Sequence, residues 1–237
     1  MKVLFQSKGE CSLEKEILLK NIEKIKEQIN TYKTDHKTID MIAVTKYVDS
    51  DTIRTLYELG LRHFGENRVN ELLRKQEELA DINEDITWHF IGQLQRRPVR
   101  KIINNISFLH SLDRMSLIEE VDKRAEKIVQ AFLQVNISGE EQKAGFKPAD
   151  VLATIKGLKH FSNIKVVGLM MMAPYDAEDN ALHGYFNELK QLQVQIQSLG
   201  LDYAPCQRLS MGMTADFPIA IQEGATDIRI GRALFNK

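Results

Sequence analysis

IDMIAVTKYVDSDTIRTLYELGLRHFGEN, residues 39–67, holds one full cycle of the pattern that decides the fold. An apolar run of strand length, IDMIAVTK at 39–46, is followed by Asp49, Ser50 and Asp51, residue types that cap a helix. Ile53, Leu56, Tyr57 and Leu59 then supply the inner side of that helix, Gly60 stops it, and HFGEN at 63–67 reads as the next short strand. Strand, helix and strand in so short a span form the unit of a parallel sheet covered by helices.

The cycle recurs along the chain. WHFIG (88–92), SFLHSL (107–112), QAFLQVNI (130–137), IKVVGLMMMAP (164–174), Arg208–Met211 and Thr226–Ile230 supply six further strands. Between them lie a charged helix through Leu72, Leu73 and Leu79, a partly helical segment from Gln93 to Asn104, and a helix that Asp113 or Ser116 can cap. Leu182, Phe186, Leu189, Leu192, Ile196 and Leu199 mark the clearest helix of the second half, ended by Gly200, and 216–224 forms another. Eight strands alternating with helices predict an α/β fold closed as a single (β/α)8 TIM barrel over residues 39–235. Residues 1–35 form an N-terminal extension and helix, in which Leu18, Ile22, Ile25, Ile29 and Tyr32 recur at steps of four and three behind an N-cap at Ser12. No linker rich in Pro, Gly or Ser divides the chain, so 1–237 reads as one domain.

Composition limits the function. The net charge of −1, from 32 basic and 33 acidic residues, provides no global field for nucleic acid or an anionic membrane, so any anion site must be local. Cys11 and Cys206 are far apart and lack metal-ligand neighbours, and no secretory or membrane-spanning segment stands out, which points to a reducing cytoplasmic setting. There is no GxGxxG turn after the first strand and no GxxxxGK[ST] loop.

Barrels carry their functional groups at the C-terminal ends of the strands. Lys46 ends the first strand, and alternation puts Ile42, Val44 and Lys46 on one face, so its amine is expected at the top of an apolar barrel interior. Partial desolvation there would favour the neutral amine and Schiff-base chemistry; the competing reading is a strand-end lysine reaching water. In SMGMTAD (210–216), Gly212 permits close backbone approach, Ser210 and Thr214 offer hydroxyls, and free N–H groups open the following helix. Such a turn holds an anion or merely caps a helix. Its partner turn at Gly231 follows strand eight, and barrel phosphate sites use the loops after strands seven and eight. In strand eight Asp227, Arg229 and Gly231 alternate inward, where Arg229 either donates to the pyridine nitrogen of a bound ring or pairs with Asp227.

AVTKYV (43–48), GENRVNE (65–71), WHFIGQLQ (88–95), VNISGEEQKAGF (135–146), VVGLMMMAP (166–174), LSMGMTADF (209–217) and DIRIGRALF (227–235) resemble, in order and spacing, the pyridoxal phosphate homeostasis proteins. That family consists of single-domain relatives of the alanine racemase N-terminal barrel. The resemblance implies pyridoxal 5'-phosphate held by Lys46 as an aldimine, its phosphate in Ser210, Gly212, Thr214 and the Gly231–Arg232 backbone, and Arg229 facing the pyridine nitrogen. Asn67 and His89 would be ring-side or pocket-wall positions, with a core role for His89 as the alternative. The methionine run at 170–172 would fill the barrel, with Met170 or Met172 at most touching the pocket. Two departures stand out: Gln93, Arg96, Arg97 and Pro98 replace a common proline and Ser-Asn-Lys stretch, and Arg232 replaces a small hydroxyl residue. The basic run Arg96, Arg97, Arg100 and Lys101 reads as a solvated helix face that an anionic partner or an incoming cofactor could use.

Racemase relatives draw a second base from an additional C-terminal domain, and this sequence ends six residues after Gly231. The resemblance therefore implies a carrier for pyridoxal phosphate in vitamin B6 and amino-acid homeostasis without dedicated catalysis, a monomer or weak dimer that serves pyridoxal-phosphate-dependent apoenzymes. The alternative is an amino-acid racemase or a Schiff-base aldolase acting on a small phosphorylated substrate.

Overall fold

The strands β1 (Asp40–Val44), β2 (His63–Glu66), β3 (Thr87–Phe90), β4 (Phe108–Leu112), β5 (Val129–Gln134), β6 (Ile164–Met170), β7 (Arg208–Met213) and β8 (Asp227–Ile230) close in chain order into a parallel barrel. The computed structural model describes residues 3–33 and 38–236, with side chains from residue 14 onward. Closure is made by β1 on β8, with Asp40 opposite Asp227 and Ala43 opposite Ile230. The alternation read from the sequence is thus a closed (β/α)8 barrel.

Helices α2 (Ser50–Glu58), α3 (Val69–Glu78), α4 (Val99–Ile102), α5 (Met115–Arg124), α6 (Pro148–Gly157), α7 (Asp179–Gln197) and α8 (Phe217–Gln222) connect the strands, and α9 (Arg232–Phe235) follows β8. Asp49 caps α2 by accepting the Thr52 N–H at 2.9 Å, and Gly60, at φ +93°, lets the chain leave that helix. Neither Asp113 nor Ser116 caps α5: its N-cap is Arg114, and the Asp113 carboxylate instead takes the Arg114 guanidinium.

Helix α1 (Val3–Tyr32) runs through Ser12 rather than starting there. It lays Leu18, Ile22 and Ile25, each nearly fully buried, against the barrel's outer core, at about 1.5–3 kcal/mol per side chain. The helix packs on α8 and α9, and the Asn21 amide donates to the carbonyls of Leu234 and Asn236, both at 2.9 Å. That clamp fixes the short helix after Gly231.

The main core lies between sheet and helices, and a separate cluster of Phe108, Phe132, Val167 and Met170 fills the interior along β4–β6. The remainder of the interior is not the apolar filling expected beneath Lys46. Three strands in succession place a histidine inward: His63, His89 and His110. Facing them are Ser210, Arg229 and, on the floor, Arg208 bound to Asp227 and Asp40. Burial works against the Arg208 charge, yet its two carboxylate partners hold its pKa above the ordinary arginine value. Cys206 is buried and unpaired, its thiol pushed up to about 12 by burial; the Cys11 side chain lies outside the described residues. No helix among the described residues is long and apolar enough to cross a membrane.

Candidate functional site

Lys46 follows β1 in a turn and is exposed, its ammonium 4.9 Å from the centre of the exposed Tyr47 ring. The desolvation expected for this amine is therefore not supplied by the surrounding protein. What the protein does supply is a rigid foundation. The residue before it, Thr45, is fully buried; its carbonyl accepts from Lys75 Nζ at 2.8 Å and its hydroxyl donates to Glu66 Oε1 at 2.6 Å. Lys75 also binds Glu66 Oε1 at 2.7 Å, and both side chains are almost completely buried between β1, β2 and α3. The sequence motifs assign no role to Glu66, Lys75 or Thr45, although a charged residue on the outward side of a short strand, followed by a lysine on the next helix, is a recognisable signal.

On the far side of the β1–β8 closure stand the two turns proposed to hold an anion. Gly212 has φ +90°, and a Cβ there would lie 2.7 Å from Ala220 Cβ and 3.0 Å from Phe217 Cα. Its glycine thus admits the left-handed backbone and seats α8 against β7. Asp216 takes the Met213 N–H at 2.5 Å, and burial pushes its carboxyl above the usual range. Thr214 Oγ1 accepts from the Ala233 N–H at 3.4 Å, which ties the β7 turn to α9. Gly231 abuts β1, its Cβ position 3.6 Å from Val44 Cβ, so the β8 turn and the strand bearing Lys46 touch. Arg232 is exposed, with its guanidinium 5.7 Å from the Tyr175 ring centre.

Arg229 is only 6% exposed and donates to Ser210 Oγ at 2.6 Å and to the Met171 carbonyl at 2.8 Å. The alternative pairing with Asp227 is not made, because Asp227 belongs to Arg208. No carboxylate lies within ion-pair distance of Arg229 among the described residues. Burial pulls its pKa down to about 10, against the attraction of Asp216 and Asp227. Met171 enters through its backbone; Met170 is buried in the interior cluster and Met172 is 40% exposed.

Ser210 is fully buried, its hydroxyl shared between Arg229 and His110 Nδ1 at 2.8 Å. His110 Nε2 meets His89 Nδ1 at 2.8 Å, and His89 Nε2 meets His63 Nδ1 at 3.0 Å. His89 stacks on Phe108 and His110 on Phe132, with ring centres 4.9 and 4.2 Å apart. Burial drives the pKa of both well below the ordinary histidine value, so both stay neutral. His89 therefore sits in mid-barrel among side chains, whereas Asn67 is half-buried just beyond β2. His63 and His110 lie in strands two and four, where only the parity of HFGE, TWHF and FLHSL reveals that they share an inward face with His89.

Arg96, Arg97 and Arg100 of the basic run line a separate cavity of about 500 Å³ together with Glu120 and Arg124. Glu120 binds Arg124 at 2.8 Å and Arg96 at 3.5 Å, leaving a surplus of exposed guanidinium groups.

Residues 20–236 match the alanine racemase N-terminal domain family. A pyridoxal phosphate homeostasis protein of Aquifex aeolicus is 40% identical over 83% of this chain and 86% of its own length. The structure of PipY of Synechococcus elongatus with pyridoxal phosphate bound is similar at a TM-score of 0.82 and 32% identity, covering 92% of this chain and 100% of that one. The alanine racemase of Corynebacterium glutamicum, at a TM-score of 0.73, 12% identity and 92% coverage of this chain against 60% of its own, shares the fold.

Proposed function

Since this chain belongs to the alanine racemase N-terminal domain family and, within it, to the pyridoxal phosphate homeostasis proteins, we propose that it binds pyridoxal 5'-phosphate and keeps it available without dedicated catalysis. The observation that carries this reading is the closure of β1 on β8, which sets the strand bearing Lys46 against the Gly231 turn and puts a buried arginine on the adjoining inner face. The residues present fit the cofactor. An exposed primary amine, a buried donor-only cation without a carboxylate, and a two-turn backbone cradle match its aldehyde, ring nitrogen and phosphate in turn.

The group, when bound, supplies an aldehyde that condenses with a primary amine. Lys46 is the amine that tethers it, and Glu66 and Lys75 hold the turn from which Lys46 projects. The Gly231 and Arg232 backbone, Gly212 and Thr214 form the phosphate cradle, where Arg232 offers N–H and charge in place of a hydroxyl. Arg229 would face the ring nitrogen, and as a donor-only cation it would leave that nitrogen unprotonated. Asn67 lines the ring side. Ser210 and His89 contribute from beneath, through Arg229. The single barrel works in the cytoplasm as a monomer or weak dimer and supplies pyridoxal-phosphate-dependent apoenzymes.

The absorption spectrum tests this. The protein mixed with pyridoxal phosphate is expected to turn yellow, to have that colour fixed by borohydride, and to lose it in Lys46→Ala; a protein that gains no colour refutes the reading. Incubation with single amino-acid enantiomers in deuterated water tests the second half. Catalytic exchange of the α-proton would make the protein a racemase-like enzyme instead of a carrier.

A further inference from the structure

Inside the barrel, β2, β3, β4, β7 and β8 contribute His63, His89, His110, Ser210 and Arg229 to one unbroken line of contacts, each between 2.6 and 3.0 Å. Its two ends determine which way the hydrogens point. At the Arg229 end the guanidinium can only donate, so Ser210 Oγ is the acceptor of that bond. The remaining partner of Ser210 Oγ among the described residues is His110 Nδ1, so the hydroxyl hydrogen goes there. His110 then carries its hydrogen on Nε2 and donates to His89 Nδ1. By the same logic His89 holds its hydrogen on Nε2 and donates to His63 Nδ1.

At the other end, His63 is left with its hydrogen on Nε2, which faces the Asp40 carboxylate at 3.9 Å. An ionised carboxylate can only accept, so this end selects the same direction. The reverse arrangement would leave the Ser210 hydrogen without an acceptor and turn a nitrogen lone pair of His63 toward Asp40. Each of these costs free energy in a buried or half-buried place.

We propose that Ser210, His110, His89 and His63 are positioning residues of the cofactor site: a one-directional hydrogen-bond relay that orients Arg229 and runs from it to His63 on the barrel floor. The relay itself stands on geometry alone; its consequence for a bound pyridine ring rests on the function proposed above. His63 is the solvent-reaching member, its side chain 28% exposed. Its contacts are Asp40 from β1 and His89 from β3; Asp40 in turn holds Arg208 from β7, which also binds Asp227 from β8. Arg208 also lines a floor cavity of about 380 Å³ with Gln130, Lys165 and Gln207.

Imidazole nitrogen NMR of the full-length, cofactor-free protein tests the relay directly. His89 and His110 are expected to be neutral, with the hydrogen on Nε2, from pH 8 down to the onset of acid unfolding. Finding the hydrogen on Nδ1 of either ring overturns the proposal, and this wild-type measurement decides even if a variant fails to fold. In Ser210→Ala, His110 is expected to become a mixture of tautomers, because the hydroxyl hydrogen that makes its Nδ1 an acceptor is gone. Ser210→Thr, which keeps the hydroxyl, should restore the single tautomer. An unchanged His110 tautomer in Ser210→Ala would reduce these residues to barrel filling. With pyridoxal phosphate added, the position of the bound absorption band should differ between Ser210→Ala and the wild type and return in Ser210→Thr. A wild-type protein that shows the stated tautomers yet binds no pyridoxal phosphate would refute the cofactor reading and leave the relay standing.

Discussion

Lys75 and Arg229 are both cations enclosed by this barrel, one behind β1 and 1% exposed, the other inside β8 and 6% exposed. Lys75 has the Glu66 carboxylate at 2.7 Å and the Thr45 carbonyl at 2.8 Å. Arg229 has a hydroxyl and a carbonyl, both neutral. A buried charge with its counter-charge is a structural strut, because the pair is neutral as a unit. A buried cation whose contacts are all neutral keeps an uncompensated charge, which the fold tolerates at a cost in stability. Such a site is where an anionic or electron-rich ligand gains most. The difference separates the two sides of the closure: β1 and β2 build the platform beneath an exposed amine, while β7 and β8 keep a desolvated cation ready.

The strut is the easier side to break. Glu66→Gln leaves the Lys75 ammonium buried beside a neutral amide, and the expected loss of unfolding free energy is about 3–5 kcal/mol, read from denaturant titration. Replacing both partners, Glu66→Leu with Lys75→Met, should recover most of that loss. A single variant of unchanged stability would mean that the pair is not a strut.

The inner side is broken instead by acid. His89 and His110 have folded pKa values depressed below the unfolded value, so below about pH 6.5 the unfolded chain takes up protons that the folded chain refuses. Stability is therefore fully present above pH 6.5 and is lost as pH falls toward the folded values. Two such groups together cost about 2.5–3 kcal/mol by one unit below 6.5. Asp216 acts in the opposite sense: its raised pKa favours the folded state at low pH and withdraws that contribution as pH rises above the unfolded value near 3.8. Asp227, likewise raised by burial, acts in the same sense as Asp216, and the two histidines set the direction expected between pH 7 and 5.5. An unfolding free energy that stays flat from pH 7 to 5.5 would refute neutral burial of the pair.

The sequence made the barrel legible because its signal is redundant: alternation, helix stops at Gly60 and Gly200, and the Asp49 cap all agree. The ends of β1, β7 and β8 were legible for the same reason, since strand order alone places Lys46, the Gly212 turn and the Gly231 turn at one rim. Where reasoning fell short, the missing quantity was the face of a strand or the depth of a residue. Ser210 and Thr214 lie four residues apart in one turn motif, yet Ser210 is fully buried beneath Arg229 and Thr214 is half-buried at the rim. His89 resembled a pocket-wall residue because it lies in the strand read as 88–92 among motif residues, but neighbours on β2 and β4 enclose it completely. Glu66 and Lys75 form a pair only across the sheet and helix layers, a distance that spacing in the chain does not report.

Gly212 tests whether the anion side is as rigidly built as the amine side. Gly212→Ala must adopt φ +90° and place its methyl 2.7 Å from Ala220 Cβ, so α8 has to shift. The expected cost is about 1–3 kcal/mol in unfolding free energy. Weaker retention of pyridoxal phosphate should accompany it, because the same shift displaces the β7 turn. The double variant Gly212→Ala with Ala220→Gly removes the closest clash, leaves the 3.0 Å approach to Phe217 Cα, and should recover part of the stability while keeping the backbone penalty.

The smallest stability effects are expected where the largest binding effects fall. Lys46 is exposed and Arg229 has no counter-charge to leave stranded, so neither Lys46→Ala nor Arg229→Gln removes a strut. Arg229→Gln keeps an amide that can donate to Ser210 or Met171 and relieves the desolvated charge, so the unfolding midpoint should move by less than about 1 kcal/mol equivalent. Cofactor behaviour should nevertheless separate the two variants. Lys46→Ala should abolish the borohydride-fixed colour while retaining reversible, salt-sensitive binding through the cradle. Arg229→Gln should keep the covalent colour but shift its absorption band, because the charge beside the ring nitrogen has been removed. Identical spectra for Arg229→Gln and wild type would mean that the unpaired cation does not face the ring, and the contrast with Lys75 would then reflect packing alone.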